Sequence, residues 1–240
     1  MDKDITKNAH FNFLQDIDQQ HVWHPYSAMN SDLPVYQVES ASGVYLTLTD
    51  GRRLIDGMSS WWSVIHGYNH PQMNHAVTTQ LQKMSHVMFG GLTHEPAILL
   101  AKKLVELTPN ILQKVFFSDS GSVSVEVAMK MALQYWHSKL EPHRKKFISL
   151  RHAYHGDTFA AMSVCDPETG MHSLFSQFIP EQIFVDQPDC RFGESCDEEA
   201  MHSLEVALAS NNNIAAMIIE PIVQGTGGMW FYSAEYLQKV

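Results

Sequence analysis

The densest chemistry in this chain lies in Ser118-Asp119-Ser120-Gly121-Ser122, a small, polar, glycine-containing turn. Before it, Lys114-Val115-Phe116-Phe117 has the aromatic and β-branched character of a short buried strand. After it, Val123, Val127, Ala128, Met131, Ala132, Tyr135 and Trp136 recur at the spacing of one helix face. Strand, small-residue turn and helix together offer unpaired backbone N–H groups and a positive dipole end to an anion. Ser120 and Ser122 could add hydroxyl donors, and either could equally serve as a plain helix cap.

Two other stretches carry comparable chemistry. Arg151-His152-Ala153-Tyr154-His155-Gly156-Asp157 follows a predicted strand, Phe147–Leu150. Glu220-Pro221 and Gln224-Gly225-Thr226-Gly227-Gly228 follow the continuous apolar run Ile214–Ile219, the pattern of a strand buried on both faces. Ile183–Val185 predicts another short strand, and Asp197–Ala209 a helix with an acidic first turn. From residue 114 onward strands alternate with helices, so the expected fold class is α/β with a mainly parallel sheet and flanking helices. In such sheets functional loops lie at the carboxyl ends of the strands, where all three stretches fall.

The earlier residues read differently. A short helix is expected over Phe11–Ile17, then an aromatic loop, His21 to Tyr26, made rigid by Pro25. Val35–Leu48, broken at Ser42-Gly43, and Arg53–Ile55 after Asp50-Gly51 predict an antiparallel meander. Trp61 and Trp62 cannot share one face of a strand or helix; the alternatives are both in the core, or one facing a cavity. Helices are expected over Met73–Met84 and Glu95–Leu107, and Ser233 is a candidate cap for a helix from Ala234.

Composition excludes several function classes. With 16 basic against 26 acidic residues the formal charge is −10, which argues against nucleic-acid binding. No apolar run approaches the ~20 residues that cross a bilayer, and the first twenty residues lack the apolar core of a signal peptide. The three cysteines show no paired spacing, so reduced thiols and a cytoplasmic location are expected. Among the 14 histidines, His66 and His70 are separated by helix-breaking residues, and His152 and His155 lack a third ligand, so no metal site is expected. There is no G-x-G-x-x-G after a strand, no phosphate-loop lysine and no G-x-S-x-G elbow.

Ser118-Asp-Ser-Gly-Ser-Val-Ser-Val-Glu126, Tyr154-His-Gly-Asp157 and Ile219-Glu-Pro-Ile-Val-Gln-Gly225 resemble the large-domain motifs of the class III, fold type I, pyridoxal-phosphate aminotransferases. Trp23-His-Pro-Tyr26, Asp56-Gly-Met-Ser-Ser-Trp-Trp62, His86-Val-Met-Phe-Gly-Gly91 and Met162-Ser-Val-Cys-Asp166 resemble the members that act in biotin biosynthesis. The resemblance runs from about residue 20 to the end. It implies pyridoxal 5'-phosphate as cofactor and a homodimer. It also implies transfer of the amino group of S-adenosylmethionine to 8-amino-7-oxononanoate, giving 7,8-diaminononanoate. By resemblance, Gly121 and Ser122 hold the cofactor phosphate, Tyr154 lies over its ring and near the substrate, and Tyr26 and Trp61 line the substrate pocket. Asp157 would orient its own loop, while Glu220 receives no firm role.

The resemblance also implies what this stretch does not contain. The family's Schiff-base lysine, its acid against the pyridinium nitrogen and its substrate-carboxylate arginine belong to segments after the Glu-Pro-Ile-Val-Gln-Gly loop. No catalytic residue is therefore assigned, and the 240-residue chain alone is expected to be an inactive N-terminal half of the enzyme. The domain reading follows: 1–60 as an N-terminal segment and meander belonging to the small domain, and 61–240 as part of the cofactor-binding large domain. Other readings are a truncated subunit that only binds or dimerises, and a class III enzyme using another amine donor.

Overall fold

The computed structural model describes residues 2–170 and 172–240. The chain divides into two compact units, Met1–Lys102 and Lys103–Val240.

The first unit opens with helix α1 (Asp2–His21), longer than the expected Phe11–Ile17. Strands β1 (Val38–Ser42), β2 (Tyr45–Leu48) and β3 (Arg53–Ile55) then form the expected antiparallel meander in the order β1-β2-β3. Gly43 makes the first turn at φ +58°, and Gly51 the second at φ +87° with its N–H on the Leu48 carbonyl. Helix α2 (Pro71–Lys83) starts on a proline whose fixed φ suits a first helical position, and α3 (Glu95–Leu107) spans the division between the units. Among the described apolar side chains of this unit, only Leu48 and Ala97 are buried.

In the second unit, β4 (Lys146–Leu150), β5 (Ile183–Val185) and β6 (Ile214–Met217) form a parallel sheet in the order β5-β4-β6. Helix α4 (Gly121–Ser138) precedes β4, α5 (Phe159–Ser163) and the single turn α6 (His172–Phe175) lie between β4 and β5, and α7 (Glu199–Ser210) precedes β6. The pleat sends Phe147 to one face, with Met129 of α4 and Val164. Ile148 and Leu150 join Val185 and the α7 residues Met201, Leu204 and Ala207 in a second cluster, which also contains Tyr232 and Tyr236. The Trp136 indole donates to the Ala215 carbonyl at 2.6 Å and ties the end of α4 to β6. A hairpin, β7 (Val223–Gln224) and β8 (Trp230–Phe231), and helix α8 (Ala234–Lys239), capped by Ser233, complete the unit.

Three expectations fail. Lys114–Phe117 forms no strand: a strand needs a ladder partner, the sheet supplies none there, and Phe116 is 65 % exposed. The apolar run Ile214–Ile219 is paired as a strand only to Met217, and only Ile214 of that strand is buried. Cys190 and Cys196 are joined by a disulfide with Cα atoms 5.3 Å apart, which overturns the expectation of three reduced thiols. The turn at Gly193 (φ +85°) folds the segment back so that the two cysteines meet, and only Cys165 is a free thiol, buried.

Candidate active site

Sheet order places the site. The chain leaves β4 toward β5 on one side and returns as β6 on the other, so the order reverses beside β4. At such a switch point the loops leaving neighbouring strands diverge and open a crevice at their carboxyl ends. The loop after β4 and the segment after β6 are the two that meet there.

Helix α4 presents its N-terminus to them. Ser120 is the cap, accepting the Val123 N–H on its hydroxyl at 3.2 Å. The helical ladder leaves the Gly121 and Ser122 N–H groups without an acceptor. Capping and anion binding are thus compatible here, because the cap uses Ser120 and leaves the next two donors. The Ser122 hydroxyl accepts the Asp157 N–H at 3.0 Å, which leaves its own proton free to be donated. Gly156, at φ +131°, lies against Ser122 so closely that a Cβ there would come within 2.9 Å of the Ser122 Cα.

The loop after β4 is fixed at nearly every residue. Ala153 donates to the Leu150 carbonyl, and its own carbonyl accepts from Asp166. His152 is held by Asp166 twice, through its backbone N–H at 3.1 Å and its ring Nδ1 at 3.0 Å. Burial alone would raise the Asp166 carboxyl, but donors from Glu168, Thr169 and His152 outweigh it and hold the group below the usual range. The Tyr154 hydroxyl donates to the Asp157 carboxylate at 3.0 Å. His155 is buried beside the Ser149 hydroxyl, and desolvation drives its pKa down to about 4, so it is neutral. The His155 backbone N–H donates to the Cys165 sulfur, 3.1 Å away, and burial pushes that thiol up.

The segment after β6 closes the arrangement. Glu220 accepts the Tyr154 N–H on Oε2 at 3.1 Å and the Gly225 N–H on Oε1 at 3.2 Å. Burial raises its carboxyl above the ordinary value, against the pull of those two donors. Gln224, fully buried, donates to the Arg151 carbonyl at 2.9 Å. Gly227 sits directly on the His152 carbonyl, leaving no room for a side chain. The three loops singled out in the sequence do converge on one place in this unit.

A profile described as aminotransferase class-III matches residues 26–240. The chain belongs to that family. Adenosylmethionine-8-amino-7-oxononanoate aminotransferase of Buchnera aphidicola subsp. Baizongia pistaciae is 53 % identical over 224 residues, covering 93 % of this chain and 52 % of that protein. The crystal structure of adenosylmethionine-8-amino-7-oxononanoate aminotransferase from Methanocaldococcus jannaschii matches at 33 % identity with a TM-score of 0.84, over 95 % of this chain and 51 % of that one. An amine transaminase from an uncultivated Pseudomonas species, solved in the PLP-bound form, matches at 30 % identity with a TM-score of 0.75, over 91 % of this chain and 52 % of that one. The chain thus spans about half the length of the curated relatives it matches. Over that half it has the α/β, fold type I architecture of these aminotransferases.

Within this class-III frame, Gly121, Ser122 and Tyr154 all lie in the second unit, at the converging loops. Tyr26 and Trp61 lie in the first unit, where their rings meet edge to face with centroids 5.7 Å apart. Neither tryptophan of the pair is in a core: Trp61 is 64 % and Trp62 56 % exposed. The cause is the backbone of Ser59–Trp62, four successive residues at positive φ, a left-handed turn anchored by the Asp56 carboxylate on the Met58 and Ser60 N–H groups. The motif Met162–Asp166 and the Gln224–Gly228 loop stood out in the sequence, but the hold of Asp166 on His152, the contact of Cys165 with the His155 backbone and the close approach of Gly227 to the His152 carbonyl were not assigned there. Gly227 left the plainest local signal, as one of three glycines in a five-residue loop.

Proposed function

We propose that this chain carries the phosphate- and ring-holding part of a pyridoxal-phosphate aminotransferase. The reaction would move the amino group of S-adenosylmethionine to 8-amino-7-oxononanoate in biotin biosynthesis. The observation that carries the reading is the start of α4, where two backbone N–H groups and the Ser122 hydroxyl proton remain available in a turn closed by Gly156. That donor set matches a phosphate dianion. The substrates are those that give the adenosylmethionine-8-amino-7-oxononanoate aminotransferases, relatives at up to 53 % identity, their name.

In this reading Gly121 and Ser122 bind the phosphate, and the Tyr154 ring, steadied through its hydroxyl on Asp157, flanks the cofactor ring. Pyridoxal phosphate, when bound, supplies the electron sink for amino-group exchange. Tyr26 and Trp61 offer apolar surface with polar tips, suited to a long aliphatic substrate with a polar end. No lysine of the chain is assigned to the cofactor aldehyde, so the 240 residues alone are expected to show no turnover. A cytoplasmic location and a homodimer belong to the same reading, and fractionation and light scattering check them.

The test is titration of the chain with pyridoxal phosphate, followed by backbone amide NMR and, separately, borohydride reduction with peptide mapping. The expected result is a shift at Gly121 and Ser122 with no lysine stoichiometrically labelled. Shifts confined to other residues, or one lysine fully labelled, would overturn it. A related class-III enzyme with another amine donor would show the same shifts, and comparing how different amines compete at the bound cofactor separates the two.

A further inference from the structure

Glu220 stands where β6 has ended and the chain turns into the β7–β8 hairpin. Its two carboxylate oxygens go to different loops, Oε2 to the Tyr154 N–H and Oε1 to the Gly225 N–H, at 3.1 and 3.2 Å. Its own carbonyl accepts the hydroxyl of Tyr232, a side chain only 1 % exposed. Among the described residues no lysine, arginine or histidine forms an ion pair with it. A half-buried carboxylate held by backbone N–H groups alone is an uncommon expense for a fold, since burying a charge costs more than burying an amide. An amide could not take its place, because it offers one acceptor oxygen, and its NH2 would face the second donor.

The bonds continue beyond Tyr154. The Tyr154 hydroxyl reaches Asp157, and the Asp157 N–H reaches the Ser122 hydroxyl. Four residues thus link the end of β6 to the first turn of α4 through hydrogen bonds of about 3 Å.

We propose that Glu220 is the positioning residue of this site. It clamps the Tyr154 loop to the Gly225–Gly228 loop and so sets where the Tyr154 ring and the Ser122 hydroxyl stand for a bound cofactor. The clamp is a property of this chain; its consequence for ligand rests on the cofactor reading above.

The experiment compares the wild-type chain, Glu220→Gln and Glu168→Gln, a control whose carboxylate is exposed and pairs with Arg151. Amide hydrogen exchange is followed without cofactor, and pyridoxal phosphate affinity is measured separately. Glu220→Gln is expected to speed exchange at Tyr154 or Gly225 roughly ten- to hundredfold, the loss of one charge-assisted hydrogen bond. Amides in the middle of α4 should be unchanged, and cofactor affinity should fall by a similar factor. Unchanged exchange at both amides overturns the clamp. Faster exchange with undiminished affinity overturns its link to the site. If the wild type binds no pyridoxal phosphate, the cofactor reading fails while the exchange data still decide the clamp. Should the variant unfold, the wild type decides: Tyr154 and Gly225 amides exchanging as fast as that of Thr226 would refute it.

Discussion

Gly156 and Ser122 touch backbone to backbone, across 34 residues of sequence, with no space for a methyl group between them. A Cβ on Gly156 would lie 2.9 Å from both the Cα and the Cβ of Ser122, and φ at Gly156 is +131°. Both facts forbid a side chain. Gly156→Ala should destabilise the second unit by about 2–4 kcal/mol, combining backbone strain with overpacking. It should also abolish the amide shifts of Gly121 and Ser122 on adding pyridoxal phosphate. Urea unfolding and the same titration check the two effects.

Ser120 and Ser122 are two residues apart and do different work, so their alanine variants should separate. Ser120→Ala removes the cap of α4 and should cost about 1 kcal/mol. Ser122→Ala leaves the cap but takes the acceptor from the Asp157 N–H, and it should weaken cofactor binding more than it weakens the fold. Equal stability losses with equal affinity losses would contradict that division.

The alternation of strands and helices after residue 114 was legible because each segment carries its own periodicity. Ile148, Leu150 and Val185 are buried as their pattern indicates. Lys114–Phe117 has the same local character and makes no ladder, because pairing depends on a neighbour that periodicity does not reveal. The α4 turn, the Tyr154 loop and the Gly225 loop were legible as glycine-containing polar stretches beside predicted strands and helices. The bonds that join them were not. Glu220 meets Tyr154 across 66 residues, and no spacing rule predicts a carboxylate shared between two backbone donors. Trp61 and Trp62 misled in another way: burial statistics favour a core, but a left-handed turn fixed by Asp56 turns them outward.

His155 gives the second unit an acid-labile element. Its native pKa is pushed down to about 4 from an ordinary 6.5 by burial. The unfolded chain therefore takes up a proton on this ring as pH falls below about 6.5, while the native state does not until about 4. Stability from this group is complete above pH 6.5, declines between 6.5 and 4, and is level below that. The full loss is about 3 kcal/mol. The difference between wild type and His155→Asn in urea midpoint, measured from pH 7.5 to 4, isolates it. A difference that does not change across that window would rule it out.

The Cys190–Cys196 bond bears on the same loops through the β7–β8 hairpin. It closes a short segment whose neighbours grip the β7–β8 hairpin. Gln187 donates to Gln224 at 2.5 Å, the Trp230 indole donates to the Pro188 carbonyl at 2.9 Å, and the Arg191 guanidinium stacks on the Trp230 ring. Gln224 in turn holds the Arg151 carbonyl, at the start of the Tyr154 loop. Reduction frees a loop whose ends are six residues apart and should cost about 2 kcal/mol on chain-entropy grounds. Its structural effect should appear first at Gln224 and Trp230, as faster amide exchange and a shifted indole signal. Thiol labelling supplies the count. Without reductant, the unfolded chain should yield one reactive thiol, Cys165, and with reductant three. Three thiols before reduction would show that the bond does not form in solution, and the hairpin would then owe its order to the glutamine pair, the indole, the Arg191 stack and backbone bonds such as Phe192 N–H to the Phe231 carbonyl.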